Sequence, residues 1–150
     1  MADLDEGFTL IEVLIVLVLI GIMIGVVAPR LGGDIGVSAR REGARLVTLL
    51  KAARSQAIVT GKPYQVVFGA DGYRFLTLDG KGRFVAARGR LLRARVLPKG
   101  VTLVEPARRH ALLFAPSGLS RAFHVALVTH VQRFVITGNA DGRIRGALAP

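Results

Sequence analysis

The chain has 150 residues, of which 51% are hydrophobic, and its formal net charge is +11. It contains no cysteine, so disulfide bonds, thiol catalysis and cysteine-ligated metals are excluded. All 21 Lys and Arg residues lie at or after Arg30, where only six acidic residues accompany them, so this part of the chain carries a formal +15. Such a charge suits a nucleic acid, an anionic lipid or an acidic protein partner, or it serves only solubility.

The hydrophobic residues are concentrated in residues 8–28, which follow a short acidic start at residues 1–7. Glu12 is the only charged residue in this apolar run. As a helix, the run would be about 31 Å long, close to the thickness of a bilayer core. The pattern predicts a membrane-spanning helix and leaves about 120 residues, enough for a small folded domain.

Neither a secretory signal peptide nor a plain anchor accounts for this segment. A signal peptide has a basic start and a shorter apolar run, whereas this start is acidic and the run is long. The only plausible small residue for cleavage is Ala28, and Pro29 directly after it should block cleavage there. A plain anchor leaves Glu12 unexplained, because a carboxylate within a bilayer costs about 2.5–3.5 kcal/mol on insertion scales and is usually paired. No Lys or Arg lies within the run. A new amino terminus, created by cleavage before Phe8, would supply the missing cation.

A second helix is predicted after a stretch rich in glycine. Several glycines and Pro29 between positions 21 and 36 predict a bend or a locally unwound segment. Helical spacing resumes near Ser38, and Gly61 and Pro63 are expected to end the helix just after Thr60. We therefore assign residues 30–62 to an amphipathic helix, whose apolar face is Leu46, Leu49, Leu50, Ala53 and Ala57.

Residues 63–150 change to a period of two, which is typical of β-strands. Turn residues such as Asp71-Gly72 and Asp141-Gly142 separate the predicted strands. The fold class predicted is therefore α+β, with a long N-terminal helix followed by an antiparallel β-sheet domain. The nine predicted strands cover residues 64–68, 72–78, 83–87, 91–97, 101–104, 110–114, 122–128, 132–137 and 143–148.

The sequence GFTLIEVL, from Gly7 to Leu14, resembles the processing motif of type IV pilins and type II secretion pseudopilins. The resemblance implies that prepilin peptidase cleaves between Gly7 and Phe8 and that Phe8 becomes N-methylated. It makes residues 1–7 a leader, although this leader is acidic where the family usually has Lys or Arg.

The same resemblance gives two residues of the apolar segment a role in assembly. Glu12 becomes the fifth mature residue, where the family keeps its glutamate, and Pro29 becomes the twenty-second, where the family's helix has its kink. Residues 8–29 would then be a helix that first spans the membrane and later packs in the core of a filament.

The rest of the chain resembles the H-type minor pseudopilins, which are grouped with the FimT-type minor pilins. The similar segments are residues 52–58 and 63–68, the turn FAPSG at 114–118, and the strand pair at 135–138 and 142–145. The resemblance implies a structural subunit with no enzymatic activity, cofactor or metal. It would be a single-pass protein of the bacterial inner membrane with its C-terminal domain in the periplasm. It would join other major and minor pseudopilins at the tip of the pseudopilus and support protein export across the outer membrane.

An alternative function is DNA uptake, because FimT-type minor pilins carry a C-terminal Gly-Arg-x-Arg motif associated with that role. Here the motif is Gly142-Arg143-Ile144-Arg145. On a strand, Arg143 and Arg145 would point to the same face, where both could meet phosphates. An ordinary solvated edge strand with protective charges explains the same residues.

Enzymatic interpretations find little support in the residue pattern. The three histidines lack metal-ligand spacing, the serines at 117 and 120 lie in a turn, and the Gly80–Gly82 turn lacks the strand-to-helix setting of a phosphate loop. We interpret four closely spaced arginines as one solvated strand face: Arg88, Arg90, Arg93 and Arg95.

Overall fold

The computed structural model describes residues 10–32, 34–104 and 111–149. The chain divides near residue 34 into two compact units, and helix α1 belongs to the first. Helix α2 and the β-strands belong to the second.

Helix α1 covers Leu10–Gly32 and helix α2 covers Asp34–Thr60. The predicted unwinding is wrong for residues 21–32 and 34–36, which are helical. A single glycine costs a helix only about 1 kcal/mol, and a proline removes one hydrogen bond, so regular helix on both sides can carry these residues. Helix α2 ends before Gly61, whose φ of 63° is the left-handed conformation expected of a glycine that follows a helix.

The β-strands form two antiparallel sheets, which confirms the α+β class. The first sheet has the order β3-β2-β1-β6, with β4 also paired to β2, and the second has the order β5-β7-β8-β9. The strands are β1 Tyr64–Gly69, β2 Gly72–Leu78, β3 Phe84–Ala86, β4 Arg95–Val96, β5 Thr102–Val104, β6 Ala111–Phe114, β7 Phe123–Val128, β8 Arg133–Gly138 and β9 Ile144–Ala149.

One face of α2 forms the centre of the hydrophobic core. Leu46, Leu50, Ala53 and Ala57 are fully buried and Leu49 is nearly so, which confirms the apolar face predicted from helical spacing. Residues from both sheets join the same cluster: Val66, Phe75 and Phe114 from the first, and Val125, Leu127 and Ile136 from the second. The helix therefore ties the two sheets into one folded unit.

Two glycines set how closely α2 approaches the second sheet. A Cβ atom at Gly43 would lie 2.1 Å from Cδ1 of Phe134, well inside van der Waals contact. A Cβ atom at Gly146 would lie 2.7 Å from both Phe134 and Val47. The ring of Phe134 thus occupies space that only glycine leaves open on the helix and on strand β9.

The segment predicted as a strand at residues 91–97 contains only the two-residue strand β4, which pairs with Gly72 and Tyr73. The two leucines at its start differ in exposure, since Leu92 is buried and Leu91 is 58% exposed. A turn at residues 91–92 places Leu92 in the core, and Gly89 ahead of it has φ 114°, which favours glycine. Arg88, Arg90 and Arg93 therefore lie on a loop and not on a strand face, which corrects the sequence interpretation.

We predict that Gly43→Ala destabilises the folded unit by about 1–3 kcal/mol, because the new methyl group overlaps the buried ring of Phe134. This cost outweighs the gain of about 1 kcal/mol in helix propensity. Urea unfolding followed by circular dichroism measures the difference. Gly80→Ala is the matched control, since its Cβ would meet nothing within 4 Å. Equal stability of the two variants would show that the approach of α2 to Phe134 is looser than described.

Candidate assembly site

Residues 10–22 of helix α1 present an apolar surface on all sides. Every large hydrophobic side chain from Leu10 to Ile22 is at least 46% exposed. A helix that is apolar all round is normally buried, in a membrane or among other helices, and exposed apolar patches of this kind mark interaction surfaces. Across the described residues, no helix combines the length and the apolar character needed to cross a membrane.

The residues predicted for processing and assembly are distributed along this first unit. Gly7 and Phe8 lie outside the described residues. Glu12 is in the first turn of α1, where its side chain is exposed, and no salt bridge involves it within residues 10–32, 34–104 and 111–149. Pro29 lies within α1, three residues before its end.

In the second unit, Arg54 of α2 connects two turns that are distant in sequence. Its Nε donates a hydrogen bond of 2.8 Å to the carbonyl of Gly118, and an Nη donates one of 3.2 Å to the carbonyl of Asp141. Gly118 and Gly142 both have positive φ, and a Cβ at Gly142 would lie 2.1 Å from Arg54 Nε. Segments 52–58, 114–118 and 142–145, which carry part of the family resemblance, thus meet at one guanidinium group.

The structure places Arg143 just before strand β9 and Arg145 within it. Both are exposed while Ile144 between them is buried, an alternation that is consistent with one shared face. Arg143 is paired, however, since its Nε lies 3.0 Å from the carboxylate of Asp141. This pairing reduces the charge available for a phosphate, so the geometry adds no support for DNA binding.

A partly buried ion pair that the sequence interpretation missed connects the start of strand β4 to α2. Glu42 is only 4% exposed, and Arg95 donates two hydrogen bonds to its carboxylate, one of them 2.7 Å long. The hydrogen bond to Glu42 raises the pKa of Arg95 above its ordinary value. The sequence does contain a signal for this ion pair. Glu42 precedes Leu46 and Leu49 by four and seven residues, and this helical spacing puts an acid on the apolar face of α2.

Tyr73 lies beside this ion pair with an unsatisfied hydroxyl group. The residue is 3% exposed, and its hydroxyl has no hydrogen-bond partner among residues 10–32, 34–104 and 111–149. Burial, reinforced by the negative charge of Glu42, raises the pKa of Tyr73 from 10.0 to about 12. The hydroxyl group therefore loses its hydration on folding without gaining a hydrogen bond, which is unfavourable for stability.

The residues considered for catalysis have local structural roles or lie on the surface. Ser117 Oγ accepts a hydrogen bond from the Leu119 amide, and Ser120 Oγ donates to backbone carbonyls. His124 and His130 are exposed, and His110 lies outside the described residues. Within the described chain, no cluster of three His, Cys, Asp or Glu residues could hold a metal ion.

Comparison with protein families decides the assignment. The family model described as type II transport protein GspH matches residues 42–145. The chain belongs to the GspH family of type II transport proteins. The match includes Glu42, Arg54 and Arg95, so the polar contacts that connect α2 to strand β4 and to the turn at Gly118 lie within the GspH region. A second model, the prokaryotic N-terminal methylation motif, matches residues 5–28.

Solved structures of minor pilin-like proteins share the fold of this GspH protein. Two structures of EpsH, a minor pseudopilin of the type 2 secretion system of Vibrio cholerae, align with TM-scores of 0.64 and 0.66. Their identities are 18% and 17%, over 74% and 77% of this chain and 97% and 98% of those chains. The type IV minor pilin FimU of Pseudomonas aeruginosa PAO1 aligns with a TM-score of 0.59 at 18% identity, over 75% of this chain and 88% of that chain. A search of curated protein sequences gives no match.

The resemblance to H-type minor pseudopilins is thereby confirmed, and the chain is a type II secretion subunit of that type. Family and fold place it among structural pseudopilins, whose partners are other pseudopilins. The alternative function, DNA uptake, is not better supported than type II secretion.

We predict that Tyr73→Phe is at least as stable as the wild type at neutral pH, because it removes a buried hydroxyl without a partner. The variant should also lose less stability in alkali. Folding raises the pKa of Tyr73 from 10.0 to about 12, so the folded state resists ionisation of the phenol. The wild type therefore loses stability as the pH rises from about 10 through about 12, where the phenol ionises first in the unfolded chain, and the Phe variant does not undergo this loss.

Urea midpoints measured from pH 7 to pH 12 test this, with Tyr64→Phe as the matched loss of the other phenol. A Tyr73→Phe variant that is clearly less stable at pH 7 would show that the hydroxyl has a partner.

Proposed function

We propose that this GspH-type subunit is made as a membrane-anchored precursor and then assembled at the tip of the type II secretion pseudopilus. In this proposal, residues 8–29 hold the protein in the inner membrane and the β domain lies in the periplasm. The observation that carries the proposal is the surface of α1 from Leu10 to Ile22, where the large apolar side chains are exposed on all sides. That surface needs lipid before assembly and neighbouring helices afterwards. The protein acts through these contacts and catalyses no reaction.

Processing by prepilin peptidase is the first step of the proposed pathway. The matched methylation motif covers Gly7 and Phe8. Cleavage between them would free the amine of Phe8 four residues before Glu12, and methylation would keep it basic.

We predict that coexpression with prepilin peptidase gives a mature chain that begins at Phe8 and carries one N-methyl group. Cleavage removes three acidic residues, so the formal net charge rises from +11 to +14. Intact-mass measurement of the full chain detects both the loss of residues 1–7 and the added methyl group. Gly7→Val is the control that should block cleavage. A wild-type chain that keeps residues 1–7 under these conditions would contradict the proposal and point to the acidic leader as the obstacle.

Glu12 is proposed to guide the helix into the filament. A lone carboxylate among apolar side chains is costly in hydrocarbon unless a cation pairs with it. The Phe8 amine of an adjacent subunit has the required charge and lies near the same end of the helix. Pairing of the two groups would neutralise both and favour one axial register between neighbouring helices.

We predict that Glu12→Ala and Glu12→Gln insert into the membrane as well as the wild type but are recruited poorly into the pseudopilus. Insertion is retained because a charge has been removed from the apolar segment, and recruitment fails because the incoming amine has lost its partner. Cysteine crosslinking to neighbouring pseudopilins, combined with membrane fractionation, measures the two steps separately.

Leu17→Ala is the matched control, since it shortens an exposed side chain of the same helix without changing charge. Recruitment of Glu12→Ala at the wild-type level would refute charge pairing, and loss of insertion by both Glu12 variants would assign the residue to anchoring instead.

A further inference from the structure

A groove lined by arginines lies between α2 and the loop that joins β3 to β4. Its volume is about 510 Å³. We call it the arginine groove, and its lining residues are Arg45, Thr48, Leu49, Arg90, Leu91, Arg93, Ala94 and Arg95. It lies entirely within the second compact unit and contains none of the residues proposed for processing or helix packing.

The groove carries uncompensated positive charge. The charge of Arg95 is neutralised by its ion pair with Glu42, whereas Arg45, Arg90 and Arg93 are exposed. None of the eight lining residues is acidic, and no salt bridge within the described parts of the chain involves these three arginines. Three guanidinium groups at one concave surface attract a ligand with several negative charges, and each can form paired hydrogen bonds with a carboxylate.

The loop side of the groove is held in place before any ligand arrives. The Ala87 amide donates a 2.9 Å hydrogen bond to the carbonyl of Phe75, and the Leu97 amide donates a 2.8 Å bond to the carbonyl of Asp71. Between these ends, Leu92 is buried in the core and the Arg95 side chain is bonded to Glu42. A loop fixed in this way loses little conformational entropy on binding, which favours affinity.

The apolar part of the lining indicates which class of polyanion fits. Leu49 and Leu91 lie in the groove with the arginines, and Leu91 is 58% exposed. Single-stranded nucleic acid is usually bound through aromatic side chains on which bases stack, and none of the lining residues is aromatic. Aliphatic contacts beside guanidinium groups suit a protein segment in which carboxylates flank an aliphatic side chain.

We infer that the arginine groove is a docking site for an acidic segment of a partner protein, with Arg45, Arg90 and Arg93 binding its carboxylates and Leu91 contacting its aliphatic residue. This binding function goes beyond assembly through the N-terminal helix. It recruits a second protein to the second compact unit by charge and shape.

Fluorescence anisotropy with the full chain in non-ionic detergent tests the inference. The probe is a short labelled peptide in which aspartate and glutamate flank a leucine. The Arg90→Gln/Arg93→Gln double variant should bind it at least about tenfold more weakly, because two charge-assisted contacts are lost. Arg121→Gln/Arg133→Gln removes the same charge from exposed positions outside the groove and should change affinity less than about twofold.

Three outcomes would overturn the inference. Equal weakening by the two double variants would reduce binding to nonspecific attraction by a basic protein. Equal binding of a peptide with asparagine and glutamine in place of its acids would remove the role of the carboxylates. Tighter binding of a single-stranded oligonucleotide that depends on Arg90 and Arg93 would assign the groove to nucleic acid.

Discussion

Burial of the Leu46–Ala57 face of α2 holds together two sheets that share no strand. Each sheet contributes side chains to one cluster around the helix. Without the helix, the inner face of each sheet would be exposed to water. Glycine at positions 43 and 146 is part of this arrangement, because the ring of Phe134 fits only where no Cβ atom intervenes. The fold thus depends on close approach of backbone to ring as much as on the amount of apolar area removed from water.

Polar contacts along the same helix position the loops that the sheets leave unpaired. Glu42 binds Arg95, the first residue of β4, and so fixes the end of the loop that precedes it, and Arg54 holds the turns at Gly118 and Asp141. Both contacts involve a guanidinium group, whose several donors can satisfy more than one acceptor at a time. One helix therefore serves two functions, since its apolar side chains organise the sheets and its polar side chains Glu42 and Arg54 fix the surrounding loops and turns.

Much of this organisation could be predicted from the sequence, because the signals involved are local. Alternation of apolar and polar residues located the strands, and helical spacing identified the buried face of α2 correctly. The segment at 91–97 was misassigned because pairing there depends on β2, a distant partner that periodicity cannot report. Sequence likewise cannot show that Arg95 reaches Glu42, 53 residues away, although an acid on an apolar helix face indicates a buried partner. The arginine groove exists only because the loop folds back onto α2.

The apolar surface of α1 has a consequence for the energetics of secretion in the proposed membrane setting. Lipid tails are as apolar as leucine side chains, so a helix that passes from bilayer to filament gains no hydrophobic free energy. In that setting only packing and the proposed pairing of Glu12 would separate the two states, and their difference would be small compared with the cost of exposing the helix to water. Under the proposed function, a subunit of this kind would therefore move into the filament and back into the membrane with little change in free energy. Net movement in one direction would then require an external source of work.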